Sequence, residues 1–412
     1  MTDRSQPQSL GQPDWLTAAP AAAVMDALEA KGGVDCARFV GGCVRNTLIG
    51  TQVADIDIAT RLSPQAVIAS LAAAKLKSVP TGVDHGTVTA IAGGRPYEIT
   101  TLRRDVETDG RRAVVAFTDD WVEDARRRDF TLNALYAHRD GTIFDPTGQG
   151  VADARAGRIV FVGDPTERIE EDFLRILRFF RFLAWYGRGE PDAAALRACA
   201  ASKDQVATLS AERISKELLK LLAAEDPRSA VALMAQTGVL AVALPAAGDL
   251  PRFEALVAID ADAVLRLAAL LPDDPAAAVG TAGALRLSNA ERDRLAAALN
   301  PEPPLASAMT PRDVRIHLYR LGAQAFSDRA KLAWARDGQA AAWRFVLGHT
   351  QGWTSPVLPV TGADAMGAGV PRGPLVGQAL RAVEDWWIAE DFPADRMAAL
   401  EKLRDVARGL AP

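Results

Sequence analysis

Cysteine and histidine are too sparse in this sequence to build a disulfide framework or a zinc site. Cys36, Cys43 and Cys199 are odd in number and lack metal spacing, so reduced thiols are expected. His85, His138, His317 and His349 fall in no HD or paired-histidine motif, which argues against a histidine-based hydrolase. His85-Gly86 reads as a structural turn ahead of a strand. No apolar run approaches the roughly 18 to 20 residues of a membrane span. The opening MTDRSQPQSLGQPDW lacks both the apolar core and the cleavage site of a signal peptide. It reads as a short disordered lead, and the expected location is cytoplasmic. Aromatics are scarce, at 6%, while alanine recurs, which favours helix over sheet for most of the length. An excess of positive charge is missing too: the formal net charge is −5. Between Arg103 and Arg128, seven arginines are matched by seven acids. Charge therefore neither supports nor excludes a polyanionic partner.

At 412 residues the chain exceeds one compact core, and two to four packed units are expected. Residues 20–31 read as an alanine-rich helix stopped by Gly32-Gly33. From Ala37 to about Val162 short β-prone runs alternate with Gly, Pro and Asp: ARFV, ADIDIAT, GTVTAIA, YEITTLR, AVVAF and TIFDP. Helices are predicted at 44–49 and 64–75. Beyond Asp164-Pro165 the apolar periodicity is helical throughout, without the fixed period of a solenoid. The expected class is α+β: a small head with a mixed sheet over 20–155, an all-helical neck over 156–225, and a helical body and tail over 226–412.

Three stretches carry chemistry. In Phe39-Val-Gly-Gly-Cys-Val-Arg-Asn-Thr-Leu-Ile-Gly50 a strand ends, Gly41 and Gly42 turn, and a helix starts with free N–H groups aimed outward. Such a turn is an anion site, and Arg45 adds positive charge one turn in. Asp55 and Asp57 follow on a β-run, so their carboxylates share a face while Ile56 and Ile58 point to the core. A lone D-x-D is usually a solvated strand face. Beside a phosphate-binding turn, two hard oxygen ligands suit Mg²⁺, or Mn²⁺, held partly by substrate phosphates. Glu98, in Tyr97-Glu-Ile-Thr-Thr-Leu-Arg103, is the best third carboxylate for a two-metal site; its alternative is an exposed strand charge. The second stretch is Asp109-Gly-Arg-Arg112 followed by Asp124-Ala-Arg-Arg-Arg-Asp-Phe-Thr-Leu-Asn133, whose arginines must face a polyanion, an acidic partner or water. The third, Gly163-Asp-Pro-Thr-Glu-Arg-Ile-Glu-Glu-Asp-Phe-Leu-Arg-Ile-Leu-Arg178, opens an apolar helix with Glu171, Arg175 and Arg178 on the opposite face and Asp172 in reach of Arg175.

Together these stretches resemble the class II family of CCA-adding enzymes and bacterial poly(A) polymerases. The family's GG, V-R, G and D-x-D signature fits 41–57, its R-R-D-F-T-x-N element falls on Arg127 to Asn133, and E-D-x-x-R falls on Glu171 to Arg175. The matches keep the family's order from about 37 to 220, including Glu212-Arg213-Ile214. The resemblance implies a nucleotidyltransferase head in which Asp55 and Asp57 bind the catalytic metals. Gly41, Gly42 and Arg45 would then hold the triphosphate, with Arg128, Asp129 and Asn133 near the nucleotide sugar and phosphates. Glu171, Asp172 and Arg175 would read the base, with Arg178 also among the nucleotide-binding residues. Cytosine and adenine each put an amino donor beside a ring-nitrogen acceptor, so a carboxylate and an arginine can template both. The implied partners are tRNA, CTP and ATP, with no membrane and no obligate protein partner; the implied alternative is poly(A) addition. The loop at 103–112 resembles the flexible loop of full CCA-adding enzymes. A small-molecule nucleotidyltransferase would need neither the base-reading helix nor the tail, and a non-catalytic RNA binder has no need of Asp55 with Asp57. Two positions depart from the family pattern: Asn46, where Asp is frequent, and an extra residue in Asp145-Pro-Thr-Gly-Gln-Gly150.

Overall fold

Every residue of the run Ala37–Val40 is buried, because this strand, β1, lies inside a sheet covered on both faces. The computed structural model describes residues 8–108, 113–393 and 395–410. Short helices α1 (Asp14–Thr17) and α2 (Ala19–Gly32) precede β1, and α3 (Gly42–Leu48) follows it. Then come β2 (Asp57–Thr60), α4 (Pro64–Ala73), β3 (Lys77–Gly82), β4 (Thr87–Ala92) and β5 (Arg95–Thr101). The hairpin β6 (Arg103–Thr108) and β7 (Ala113–Phe117), α5 (Trp121–Arg126), β8 (Tyr136–Ala137) and β9 (Ile143–Phe144) complete the head. Seven strands form one sheet in the order β3-β4-β5-β2-β1-β8-β9. It is mixed: β2 runs antiparallel to β1 and parallel to β5.

The two faces have different duties. Phe39 points to the face covered by the N-terminal helices, where Trp15 meets it edge-on at 5.1 Å. Val40, Ala59 and Tyr136 point to the other face and pack with Trp121 and Ala125 of α5. On that second face β2 sets Asp57 in register with Glu98 of β5.

The helices α6 (Gly150–Ala156), α7 (Pro165–Glu171), α8 (Leu174–Tyr186), α9 (Ala193–Ala201), α10 (Ala211–Leu222), α11 (Arg228–Gln236) and α12 (Val239–Ala243) follow. The long apolar stripe of α8 is docked by rings: Phe130 of the head lies 4.9 Å from Phe161 and 4.9 Å from Phe182. The chain divides into two compact units, 1–245 and 246–412. The second is helical across its described residues, with one core around Phe326 and Trp343 and another around Val383 and Leu403.

The α+β head and helical remainder agree with the sequence reading, and four details differ from it. The lead is not disordered from Gln8 onward: Ser9 bridges to Thr142, and the Leu10 N–H donates to the Gly141 carbonyl at 2.9 Å. Residues 226–245, read as part of the body, pack in the first unit, where α11 lies on α8. The strand carrying the acids begins at Asp57, so Asp55 lies just ahead of it. The neck helix is two helices, broken at Asp172, whose backbone is extended with φ −156° and ψ 104°. As expected, Val83–His85 is a turn before β4.

Candidate active site

Gly41 leaves β1 with φ 70° and ψ −116°, a conformation that L side chains resist. Its N–H donates to the Leu135 carbonyl at 3.0 Å, which ties the turn to the segment behind it. Two guanidinium groups stand over the turn. Nη1 of Arg128 lies 3.8 Å from the point a Cβ on Gly41 would occupy, and Nη2 of Arg45 lies 3.8 Å from the same point on Gly42. Sequence spacing placed Arg45 here; Arg128 arrives from the segment just past α5.

The carboxylates collect beside that turn. Ile56 and Ile58 are buried, at 4% and 0% exposure, so the alternation read from sequence holds although Asp55 precedes the strand. Asp55 is exposed and Asp57 half-buried, and Glu98 is exposed opposite Asp57 across the parallel pair. Burial, then the charge of Glu98 and that of Asp55, push the Asp57 carboxyl up to about 6, with Arg128 and Arg45 opposing. A half-buried acid crowded by like charge calls for a cation. Among the described residues no group of three or more His, Cys, Asp or Glu is placed to hold a metal ion by itself.

Behind the turn sits a network whose centre the sequence reading passed over. Asp124 is 1% exposed. It accepts from Nε of Arg127 at 2.9 Å, Nη2 of Arg128 at 2.9 Å, the Tyr136 hydroxyl at 2.6 Å and the Arg103 N–H at 3.1 Å. Burial opposes its charge, but the two guanidinium groups and these donors hold the carboxyl far below the usual carboxylate range. The available signal was its place three and four residues ahead of two arginines on a helix. Asp129, 8% exposed, works likewise. It accepts from the Phe130 N–H at 2.8 Å, Nδ2 of Asn133 at 3.0 Å and Nε of Arg178 at 2.8 Å. Against burial, Arg178 and Asn133 hold its carboxyl below the usual value. Asn133 in turn accepts from Nη1 of Arg45. Asp129, Asn133, Arg45 and Arg178 therefore form one connected chain between the glycine turn and α8.

At the start of the neck, Asp164 caps α7 through the Thr166 N–H at 2.8 Å. Glu171 accepts from Nη1 of Arg175 at 2.6 Å and from Arg168. Nη2 of Arg175 donates to the Arg127 carbonyl at 2.9 Å, anchoring α8 to the arginine run. Asp172 does not pair with Arg175. The break turns it outward, where Nη2 of Arg213 reaches both its oxygens at 2.9 and 2.7 Å.

This geometry has counterparts. Residues 37–160 match the family described as poly A polymerase head domain, and residues 190–249 match the one described as probable RNA and SrmB-binding site of polymerase A. A CCA-adding enzyme of Lacticaseibacillus paracasei is 31% identical over 97% of this chain and 97% of its own. The chain belongs to the class II CCA-adding enzyme family. The mitochondrial CCA tRNA nucleotidyltransferase 1 of Mus musculus is 41% identical over 52% of this chain, which spans about half, 50%, of that relative's length. The crystal structure of the Bacillus stearothermophilus CCA-adding enzyme in complex with CTP superposes with a TM-score of 0.76 at 28% identity, over 95% of this chain and 98% of that one.

Both departures from the family pattern are accommodated. Oδ1 of Asn46 accepts from Arg45 Nε at 3.1 Å and Nη2 at 2.8 Å, while its amide nitrogen donates to the Gln52 carbonyl at 2.8 Å. A carboxylate could make the first contacts but not the last, which steers the loop toward Asp55. Asp145 holds the longer loop through the Thr147 hydroxyl at 2.7 Å and the Val151 N–H at 3.1 Å. Asp109-Gly-Arg-Arg112, compared with the family's flexible loop, lies outside the described residues.

Proposed function

We propose that this chain adds C and A to the 3′ end of tRNA, taking CTP and ATP and releasing pyrophosphate. The observation that carries the reading is the register pairing of Asp57 with Glu98 beside a glycine turn flanked by Arg45 and Arg128. It occurs in a chain similar along 97% of its length to a CCA-adding enzyme. Asp55 and Asp57 would hold Mg²⁺, with Glu98 as the third acid and Mn²⁺ as a substitute. The donor set fits: hard oxygens, with Asp57 raised to about 6 by burial and then by Glu98 and Asp55, and too few for a cage, as suits a cation that keeps substrate phosphates as ligands. When bound, the metal supplies Lewis-acid activation and neutralises charge at the α-phosphate.

The chain's own residues do the rest. Gly41 and Gly42 let the triphosphate approach the backbone, and Arg45 and Arg128 attract it. Asp129 and Asn133 fix Arg178 and Arg45 at the nucleotide's sugar and phosphates. Glu171, Asp172 and Arg175 would read the base, with Asp172 acting apart from Arg175 because it bonds Arg213. Residues 20–155 catalyse, 156–225 read the base, and 226–412 grip tRNA. A cytoplasmic location fits three free, buried cysteines; among the described residues no helix is long and apolar enough to cross a membrane.

The test offers the purified protein tRNA lacking its 3′ end, tRNA ending in C or CC, and poly(A), each with single labelled nucleotides. Ordered addition of two C and one A to tRNA alone is expected. Poly(A) addition, the reading favoured by the descriptions of both matched families, would appear as unlimited A on any 3′ end. No transfer to any primer refutes both.

A further inference from the structure

The arginines where the head meets α8 each lie against a carboxylate, some sharing one. Arg127 and Arg128 pair with Asp124, Arg175 with Glu171, Arg178 with Asp129, and Arg181 with Glu217. Arg45 is the exception. It is 7% exposed, and among the described residues no carboxylate lies within ion-pairing distance of it. Its three acceptors are all neutral: Oδ1 of Asn133, Oδ1 of Asn46 at 2.8 Å, and the Tyr186 hydroxyl at 2.9 Å. Its Cζ also stands over the Tyr186 ring, 4.1 Å from the centroid.

Neutral acceptors orient a guanidinium without cancelling its charge, and burial in a low-dielectric setting lengthens that charge's reach. A cation so held is costly unless an anion completes it. The nitrogen bound by Tyr186, Nη2, is the same one that stands 3.8 Å from the Cβ point of Gly42. Tyr186 ends α8, two turns beyond Arg178 on the same helix. One helix thus holds Arg178 at the nucleotide side and Arg45 at the glycine turn.

We propose that Tyr186 is a positioning residue for the triphosphate: its hydroxyl fixes Nη2 of Arg45 over the Gly41-Gly42 turn while leaving the guanidinium charge available to phosphate. The proposal rests on the nucleotidyltransferase reading of the same site. It makes no contact with the base, so its effect is blind to which nucleotide is bound.

The decisive variant is Tyr186→Phe in the full chain, which keeps the ring over Arg45 and deletes one hydroxyl. KM for CTP and for ATP should rise together by roughly tenfold to a hundredfold, the weight of one hydrogen bond from a charged donor. kcat should stay within about twofold, since no group at the reacting atoms changes. Tyr186→Leu, which also removes the ring, should raise KM further. The same order should appear in equilibrium binding of inorganic tripolyphosphate, a probe with neither base nor RNA. Unchanged KM and unchanged tripolyphosphate affinity in Tyr186→Phe overturn the proposal, as does a rise for one nucleotide alone. If the wild-type chain transfers nothing to any primer, the nucleotidyltransferase reading fails, and tripolyphosphate binding alone decides the role of Tyr186.

Discussion

At the scale of single residues the carboxylate at 57 sets function against stability. A carboxyl raised to about 6 by burial and by Glu98 binds its proton more tightly in the folded chain than in the unfolded one. Ionising it therefore costs stability, and the cost grows as pH climbs from the ordinary carboxylate value through about 6. Asp57→Asn should abolish transfer and yet stabilise the metal-free protein at pH 7.5 by on the order of 1–2 kcal/mol, allowing for solvent screening. The gain should vanish near pH 4, where wild-type Asp57 is already protonated. Melting curves of both proteins at the two pH values, with and without Mg²⁺, check this; a variant less stable than wild type at pH 7.5 contradicts the crowding argument. Added Mg²⁺ should raise the wild-type midpoint and leave Asp57→Asn unmoved. A second residue-scale test concerns Asp172, which is exposed enough that truncating it opens no cavity. If it reads the base, Asp172→Ala should relax discrimination against UTP and GTP by about tenfold, the weight of one base-edge contact. Were it only a partner of Arg213, kcat/KM for all four nucleotides would shift together, as for an exposed ion pair worth about 0–1 kcal/mol.

Between elements the stakes are larger because the charges are buried. Asp124 joins α5 to β6 through the Arg103 N–H and to β8 through Tyr136. Asp124→Asn would leave Arg127 and Arg128 without a counter-ion, and a broken buried pair costs about 3–5 kcal/mol. Urea unfolding should show that loss, opposite in sign to the gain at Asp57; a cost below about 1 kcal/mol would mean that water replaces the carboxylate. Since this carboxyl is held below its usual range, its contribution is present above the ordinary carboxylate pKa and lost as pH falls through the lower folded value. Legibility from sequence divides along the same line. The glycine turn, the alternation of Ile56 and Ile58 about Asp57, and the docking stripe of α8 are local patterns and were readable. Glu98 was readable as a candidate third acid, but its register was not: nothing in Tyr97-Glu98-Ile99 says that β5 lies parallel to β2 with Glu98 opposite Asp57. Three strands escaped notice: β3 is an exposed run containing Pro80, β6 is rich in charge, and β8 is only two residues long. The break at Asp172 escaped because the apolar stripe continues through it, and only the backbone shows that Asp172 turns toward Arg213 instead of Arg175.

For the whole molecule the net charge of −5 means that no overall field draws in a polyanion, so the proposed affinity for tRNA would have to come from local clusters of cations. Local phosphate contacts still release counter-ions, and affinity should fall roughly tenfold or more between 50 and 200 mM salt. The division at Pro245 and Ala246 says where to cut to learn which part makes those contacts. A chain ending at Pro245 keeps α11 and α12, whose Val231, Met234, Val239 and Leu240 are buried in the first unit. It should stay folded, bind nucleotide as the full chain does, and lose most of its tRNA affinity. A chain ending at 225, the boundary suggested by composition, strips α11 from α8 and α12 from the turn at Lys203–Thr208 and should unfold or aggregate, since each large apolar group uncovered costs on the order of 1.5–3 kcal/mol. Far-ultraviolet circular dichroism, nucleotide titration and tRNA titration of both truncations separate the cases. If the chain ending at Pro245 binds tRNA as tightly and as salt-dependently as the full chain, the grip lies in the head and neck. The arginines gathered around Asp124 and α8 would then be serving RNA phosphates as well as the nucleotide.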